Sequence, residues 1–600
     1  MKHARVARSL LSLMVAVGVV WYGIEPGTTP IVGATAKNAV PTETRTTLRV
    51  GMWTLWHDRE VALTPSALEN HTLLRSCERC SAEVLRTLAR IRANGNAIAL
   101  TMAGRTVHSD GVWLAGTFTL TAHGEKITLH NPATITARRG LLVIVVTMPV
   151  ESYVERVVAS ESGLADSEAS LRALAIVVRS FALHEAHGHA NYDLCDSTHC
   201  QLLHWSGNGE RGLAAHKAAL ATAGETLWFH GQRALAYFGK DCGGSTASPD
   251  EIWPRAKLVP YLPSQPDRFC AADGRSEWAS EITHPELTAA LATHGLAAPG
   301  WQNLTVARRG QSGRAVTLKL DAMEISADEF RLAVGESLGW NRIPSTWFEV
   351  SRQGDRFDFH GRGWGHGVGL CQKGAAVMAQ QGRSAQQILD QYFPGSRTAD
   401  EATGREWKTF SGDGFSVESL DSDDSAYVAE LNRARSEAAQ RSGLNAASRF
   451  TVRAFDSTPD FRDATLAPGW VAAFTEGDWI GTQPLRTLAA RQLLEATMRH
   501  EFLHALVEQQ VGPRAPLWLR EGLVEVWSEK GHEGTVTPRP TMDLDVVDTA
   551  LVHATTEAES AVAHRAARWY TAQLLARFGR AQVLEWLRSG VPASVTAALR

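Results

Sequence analysis

YVERVVASESGLADSEASLRALAIVVRSFAL, residues 153–183, decides how the middle of this chain is read. Apolar residues recur at 171, 174, 175, 178 and 182, the spacing that lines one face of a helix. Asp166 or Ser167 can cap that helix, because a short side-chain oxygen satisfies N–H groups left unpaired in a first turn. Upstream the periodicity is different. LRVGMWTL (48–55), VWLAGTFTLTA (112–122), KITLH (126–130) and GLLVIVVTMPV (140–150) alternate or run apolar over short stretches, as strands do. Residues 48–150 therefore predict a β-rich lead-in, and 151–396 a mixed α+β domain of short strands and Gly-rich turns.

The whole chain has 600 residues, and a length prior suggests roughly three to five domains. Apolar content of 44% and charged content of 21% are ordinary for globular proteins. A net charge of −4 gives no basic excess, so nucleic acid is not expected as a partner. Lys2, Arg5 and Arg8 precede an apolar run at 10–24, which is short for a membrane span and suits the core of a signal peptide. Residues 1–36 are expected to be a signal peptide, with Ala34-Thr35-Ala36 as a cleavage site, or an uncleaved anchor. Either places the rest of the chain in the periplasm, cell envelope or outside, with membrane contact only through an uncleaved N-terminus. Seven cysteines are compatible with disulfides in that compartment. Cys77 and Cys80 are close enough for a clasp, and Cys371 is the residue expected to stay unpaired.

Residues 397–426 are polar and acidic and read as a linker. Beyond it, at 427–600, come a helix (427–443), the strand RFTVRAF (449–455), the strand-like WVAAFTEGDWI (470–480) and long helices. The stretch TLAARQLLEATMRHEFLHALVEQQ (487–510) reads as helical and holds His-Glu-x-x-His. Residues four apart lie one above the other on a helix, so His500 and His504 can bind one zinc ion and Glu501 can act as general base on its water.

The segment PLWLREGLVEVWSE (516–529) resembles the second zinc helix of gluzincin peptidases, close to WLNEGLAEY. The resemblance to the peptidase-MA-like group spans roughly 427–600. It implies Glu521 as third ligand and Glu525 as a partner for a ligating histidine. It also offers Tyr570, in HRAARWYTAQLLARFG (564–579), as an oxyanion stabiliser. A peptidase of this kind acts on wall peptides or exported proteins; a site kept only for binding is the alternative.

Residues 50–400 resemble the SpoIID/LytB family, which acts on bacterial cell-wall glycan. The motifs stand in the family's order: residues 153–183, then YDLCDSTHCQ (192–201), ALAYFGKDCGGST (234–246), PYLPSQPD (260–267), FHGRGWGHGVGLCQKGAAVMAQQG (359–382) and ILDQYFPG (388–395). SESGL stands where the family usually has SEMP. The resemblance implies a lytic transglycosylase that cleaves MurNAc–GlcNAc bonds of peptidoglycan strands to 1,6-anhydro products, with Glu161 as the catalytic acid. Ordinary glycosidases need two carboxylates. A lytic enzyme activates no water, so one Glu can protonate the leaving oxygen and then take the proton of the sugar's own 6-hydroxyl. Such a Glu needs its pKa raised toward neutrality. Arg179, Tyr237, His366 and Gln372 are the expected substrate contacts, with bracing of Glu161 the other reading for Arg179. The glycines between 361 and 369 are expected to let backbone approach a sugar, and a tight turn packed around Trp364 is the other reading there and for His366.

Two readings stay open at His189, Cys195, His199 and Cys200: a structural zinc site of two His and two Cys, as some members of this family carry, or a Cys195–Cys200 disulfide. Cys242 and Cys270 are expected to pair. The fold class expected is multidomain α+β: a β-rich lead-in, a mixed SpoIID-like domain, and a mostly helical gluzincin-like domain with a small sheet. Zn2+ is the expected cofactor. Sporulation enters only through the family's name. A wall-binding scaffold or a peptidase with a glycan-binding module are the rival functions.

Overall fold

The computed structural model describes residues 47–66, 71–163, 166–185, 189–206, 210–253, 256–272, 274, 276–297, 300–446, 448–528 and 539–599. The expected signal or anchor at 1–36 lies outside the described residues. Among the described residues no helix is long and apolar enough to cross a membrane. The architecture is mixed α+β with many small sheets, and it divides into two compact units, Thr46–Gly404 and Arg405–Arg600.

In the first unit β1 (Thr47–Met52) lies antiparallel to β2 (Leu141–Pro149), with Val50 opposite Val146. On its other side β1 runs parallel to β3 (Leu194–Cys195), with Gly51 opposite Cys195. These three form one end of a seven-stranded sheet completed by Ala133–Arg138, Gly111–Ala115, Leu73–Arg75 and Glu83–Val84. A second sheet of six strands spans Glu60–Leu129. Alternation does the work in both: in Phe118–Ala122 the residues at 118, 120 and 122 are buried and those between are not.

α1 (Val150–Glu161) starts directly after Pro149 and buries Val150, Tyr153, Val154, Val157 and Val158, a helical stripe. α2 (Glu168–Glu185) follows, as its spacing predicts. One continuous core runs from Leu48 to Phe393, so the lead-in and the domain after it are one folding unit, not two parts meeting at 150. Two short parallel strands, β4 (Phe238–Gly239) and β5 (Leu370–Cys371), pair near the end of this unit, and α3 (Gln372–Gln380) begins where β5 stops.

Residues 277–362 build two three-stranded sheets and two helices around a separate core that includes Ile282, Leu318, Phe330 and Phe359. The sequence pattern gives no hint of this subdivision, because its strands are as short and glycine-bounded as those around it.

The expected linker at 397–426 is structured. Arg397–Asp400 pairs with Glu225–Phe229, and Lys408–Gly412 forms a hairpin with Phe415–Ser419. Backbone pairing compensates there for the low apolar content that suggests a linker. In the second unit five strands stand in the order Lys408–Gly412, Phe415–Ser419, Phe450–Ala454, Trp479–Thr482 and β6 (Ala473–Glu476), which leaves β6 at an edge. The stretch expected as one helix at 487–510 is broken by Gln492, in left-handed conformation at φ 58. α4 (Leu494–Glu508) carries the His-Glu-x-x-His residues. α5 (Leu517–Ser528) and α6 (Glu557–Ser589, interrupted at Gly579) pack beside it.

Candidate functional site

Glu161 is the last residue of α1. Its half-buried carboxyl is raised from the ordinary range to about 7, chiefly by burial. The position at a helix C-terminus, where carbonyl dipoles point outward, disfavours a negative charge as well. Hydrogen bonds from the Leu202 backbone and the Gln372 side chain, and the charge of Lys240, pull the other way.

The β4–β5 pair explains why Lys240 and Gln372 arrive together. Gly239 is the parallel partner of Cys371, so the residue after each strand leaves at the same end. Gln372 opens α3, and its amide Nε2 donates to the Glu161 carbonyl at 3.3 Å. Lys240 is exposed and holds its ammonium 5.0 Å from the centre of the Trp364 ring. Sequence reading missed Lys240 and the Leu202 N–H: neither stands out without the pairing that brings them to Glu161.

The glycine block closes on protein rather than leaving a sugar-sized gap. A Cβ on Gly369 would lie 2.1 Å from the Tyr237 carbonyl oxygen, and one on Gly363 would lie 2.8 Å from the Gly243 nitrogen. Both glycines also hold positive φ. Gly365 alone among the five faces open space. The close approach expected toward a ligand is thus used mainly for chain-on-chain packing.

Tyr237 is half-buried between Phe181 and Trp253, with ring centroids at 5.8 and 4.8 Å. His366 joins that cluster 5.3 Å from Trp253. Its Nδ1 accepts the Val368 N–H at 3.0 Å, and the ring also bonds the Phe238 backbone. Burial, with Arg331 and Arg314 adding repulsion, pushes its pKa down to about 3, so the ring is neutral.

Arg179 is fully buried. Its Nε donates to Glu151 Oε1 at 2.8 Å and its second nitrogen to Glu151 Oε2 at 2.5 Å, with the Glu225 carbonyl at 3.1 Å. The polar groups of both Arg179 and His366 are hydrogen-bonded inside the fold, which is the packing reading for His366 and a brace on Glu151 rather than Glu161 for Arg179. Glu151 is the partner that sequence reading did not find.

His189, Cys195, His199 and Cys200 come together, with their ligand atoms within 4.8 Å of one another. His189 Nε2 lies 3.1 Å from Cys200 Sγ, the two sulfurs are 3.1 Å apart, and His199 Nδ1 is 3.8 Å from Cys195 Sγ. No disulfide joins the two cysteines, whose sulfurs stand well beyond bonding distance, and this sets the disulfide reading aside. Donors around a tetrahedral zinc with bonds of about 2.0–2.3 Å sit roughly 3.3–3.8 Å apart. His199 Nδ1 stands 3.8 and 3.7 Å from the two sulfurs, within that range, and the two 3.1 Å spacings are slightly shorter. Hydrogen bonding to Cys200 and His199 holds the Cys195 thiol far below its usual pKa, as a metal ligand needs. Cys77 and Cys80 form the expected disulfide. Cys242 and Cys270 do not: both are free, and Cys371 lies with them, so the expected pair is a trio.

Residues 138–229, which contain α1, Glu161, α2 and the His189 cluster, match the SpoIID family model, described as Stage II sporulation protein. This part of the chain is similar to the SpoIID family. Residues 271–369 match a domain of unknown function (DUF8618), which coincides with the subdomain that has its own core. An uncharacterized protein of Brachyspira hyodysenteriae is 28% identical over 262 residues, covering 43% of this chain and 69% of that protein. Stage II sporulation protein D of Bacillus subtilis is 26% identical over 294 residues, 46% of this chain and 82% of that protein. The Amidase enhancer of Bacillus subtilis is 22% identical over 233 residues, 30% of this chain and 32% of that protein.

Outside the region similar to SpoIID, the second unit holds a further cluster. His500 Nε2 and His504 Nε2 are 3.2 Å apart, and His504 Nε2 is 3.6 Å from Glu521 Oε2 across the α4–α5 contact. The His500 Nδ1 meets the Ser528 hydroxyl at 3.0 Å, which leaves Nε2 facing His504. Glu501 is fully buried and accepts the Thr475 hydroxyl of β6 at 2.6 Å; burial raises its pKa to about 8. His564 of α6 stands 3.2 Å from Glu525 Oε1 and 3.8 Å from Glu521 Oε2. Thr475 and His564 both lie within stretches singled out for their pattern, but only the fold turns them toward this cluster. Tyr570 is fully buried and donates to the Met542 carbonyl at 3.1 Å, so its hydroxyl is engaged in packing α6 rather than facing the histidines.

Proposed function

We propose that this protein is an exported lytic transglycosylase of the bacterial cell wall, with Glu161 as its single acid and base. Its substrate is the glycan strand of peptidoglycan. The supporting observation is a carboxyl group at a helix end with its pKa near 7, held by Leu202 and Gln372. Such a group can be protonated when substrate arrives and charged after it has given the proton away. Glu161 donates its proton to the glycosidic oxygen between MurNAc and GlcNAc, and the bond from the anomeric carbon to that oxygen breaks. The 6-hydroxyl oxygen of the same MurNAc closes on the anomeric carbon, and its proton passes to Glu161. The carboxyl returns to its starting state and no water is consumed. Lys240, exposed beside Glu161, stabilises the carboxylate between the two transfers.

The relatives named for sporulation and for amidase enhancement support a wall-directed role. The His189 cluster is read as the domain's structural zinc site. Mass spectrometry of glycan strands after incubation with the protein tests the main reading: anhydro-muramic ends from wild type and none from Glu161→Gln support it, and no ends from either sink it.

A second activity, a zinc-dependent peptidase in the Arg405–Arg600 unit, is favoured by one specific observation. Among the described residues, Glu501 Oε1 and Glu521 Oε2 are buried carboxylate oxygens without a hydrogen-bond partner, beside two histidines with their Nε2 atoms 3.2 Å apart. Buried unpaired carboxylates are costly, and a cation held by His500, His504 and Glu521 removes that cost. Zinc there supplies Lewis-acid polarisation of water and of a peptide carbonyl. Glu501, steadied by Thr475, is the group that takes up and returns a proton. Zinc content and cleavage of wall peptides or exported proteins, lost together in His504→Ala, check this reading.

A further inference from the structure

We propose that Cys242, Cys270, Cys371 and Asp267 form a second metal site in the SpoIID-bearing unit, one that takes a thiophilic divalent ion of the zinc class. The four donors come from three separate segments, after β4, around 267–270 and at the end of β5. Their ligand atoms lie within 4.8 Å of one another, and every residue is at most 2% exposed. Three thiols and a carboxyl are a poor filling for a core unless something binds them, since a buried charge costs far more than a buried methyl group gains.

Each donor is oriented from behind. Asp267 Oδ1 accepts the N–H groups of Phe269 and Cys270, both at 3.0 Å. Its Oδ2 accepts the Tyr392 hydroxyl at 2.8 Å and faces Cys242 Sγ at 3.3 Å. Cys371 caps α3, and its sulfur accepts the N–H of Cys242 at 3.2 Å and of Gly374 at 3.5 Å. These two N–H groups fix the sulfur at the start of α3, facing the other donors. Cys270 Sγ has the buried Asp241 carboxyl at 3.1 Å. The fully buried Arg314 guanidinium donates to the Cys242 carbonyl at 2.9 Å, which brings a positive charge to an anionic cluster. Glycine at 374 is required, because a Cβ there would lie 2.6 Å from Asp267 Oδ2.

A disulfide between any two of the three cysteines leaves the third thiol buried beside it and the Asp267 carboxyl facing sulfur. A tetrahedral ion uses all four, and thiolate donors select zinc over magnesium or calcium. The site would be structural. Cys371 immediately precedes Gln372, and Cys242 follows Lys240 by two residues, so the ion ties together the two strands that deliver those side chains to Glu161. Metal content is read without any glycan, so this proposal stands or falls apart from the lyase reading.

The experiment is elemental analysis of the full chain in a background variant, C195S/C200S/H504A, that lacks the other two candidate sites. About one zinc per chain is expected to remain, and Cys371→Ser or the near-isosteric Asp267→Asn should remove it or weaken its retention against a chelator at least tenfold. Cobalt substitution should give a sulfur-to-metal charge-transfer band that Cys371→Ser reduces. Circular dichroism controls for unfolding, and Asp267→Asn keeps the test valid where a cysteine variant does not fold. Alkylation of the denatured, chelator-treated, unreduced protein should label residues 242, 270 and 371 together. A Cys242–Cys270 disulfide, or three free thiols that take up neither zinc nor cobalt, would overturn the proposal.

Discussion

Gln372 and Glu161 stand 211 positions apart in sequence, and the Gln372 amide donates to the Glu161 carbonyl at 3.3 Å. The same side chain hydrogen-bonds the carboxyl and lowers a pKa that burial raises. Gln372→Ala removes a bond that favours the charged form, so the Glu161 pKa should rise above about 7. In a pH profile of anhydro-sugar release, the high-pH limb, where the general acid loses its proton, should move upward. An unmoved limb would separate Gln372 from the acid.

Glu161→Gln should reduce lytic activity by roughly 100- to 10,000-fold, the usual worth of a general acid. It should also stabilise the fold in a pH-dependent way. The folded pKa of about 7 lies above the ordinary value of 4.5, so the folded state binds the proton more tightly. Its contribution is fully present below the ordinary value and is lost as pH rises through about 7. Thermal melting at pH 8 should therefore show the glutamine variant above wild type, with little difference at pH 4.

Arg179→Ala should unfold the domain rather than weaken sugar binding alone. It leaves Glu151 without its bidentate partner beside a buried cavity. Breaking a buried pair by removing one member costs about 3–5 kcal/mol. Urea denaturation monitored by tryptophan fluorescence measures this. A variant with wild-type stability and a raised KM for glycan would instead make Arg179 a substrate contact.

Cys195→Ser should release one zinc and lower the melting temperature, because the cluster fastens residues 189–200 beside β1 through the pairing of Gly51 with Cys195. Zinc analysis paired with calorimetry distinguishes this from a silent surface change.

Thr475→Val should raise the Glu501 pKa further above about 8, since the Thr475 hydroxyl is the hydrogen bond that favours its charged form. Peptidase activity should then need higher pH, with zinc content unchanged. Glu501→Gln should keep zinc and lose cleavage, whereas His504→Ala should lose both.

Local pattern carried a good deal of this. The apolar spacing at 171–182 gives α2, and α1 ends at Glu161, where the motif places the acid. His-Glu-x-x-His on a helix puts His500 above His504 because four residues make about one turn. The clustering of His189, Cys195, His199 and Cys200 was legible for a similar reason: all four fall within twelve positions, so little chain entropy opposes their meeting.

Long-range pairing decided the rest. The polar stretch at 397–426 looks like a linker until Arg397–Asp400 finds Glu225–Phe229. Cys371 stays outside any disulfide, as its sequence reading expects, but only β5 lying beside β4 carries it to Cys242. Arg179 can be read as a sugar contact or a brace, and only the fold, by turning Glu151 of α1 toward it, names the carboxylate it holds. The sequence by itself determined the local elements, the place of Glu161 at a helix end and the short-range grouping of His and Cys side chains, because spacing along one helix or one loop is geometry that neighbours impose. Only the tertiary structure decided which distant side chains touch them. Such contacts follow from strand register and core packing, whose energy is spread over many residues and leaves no mark at any one position.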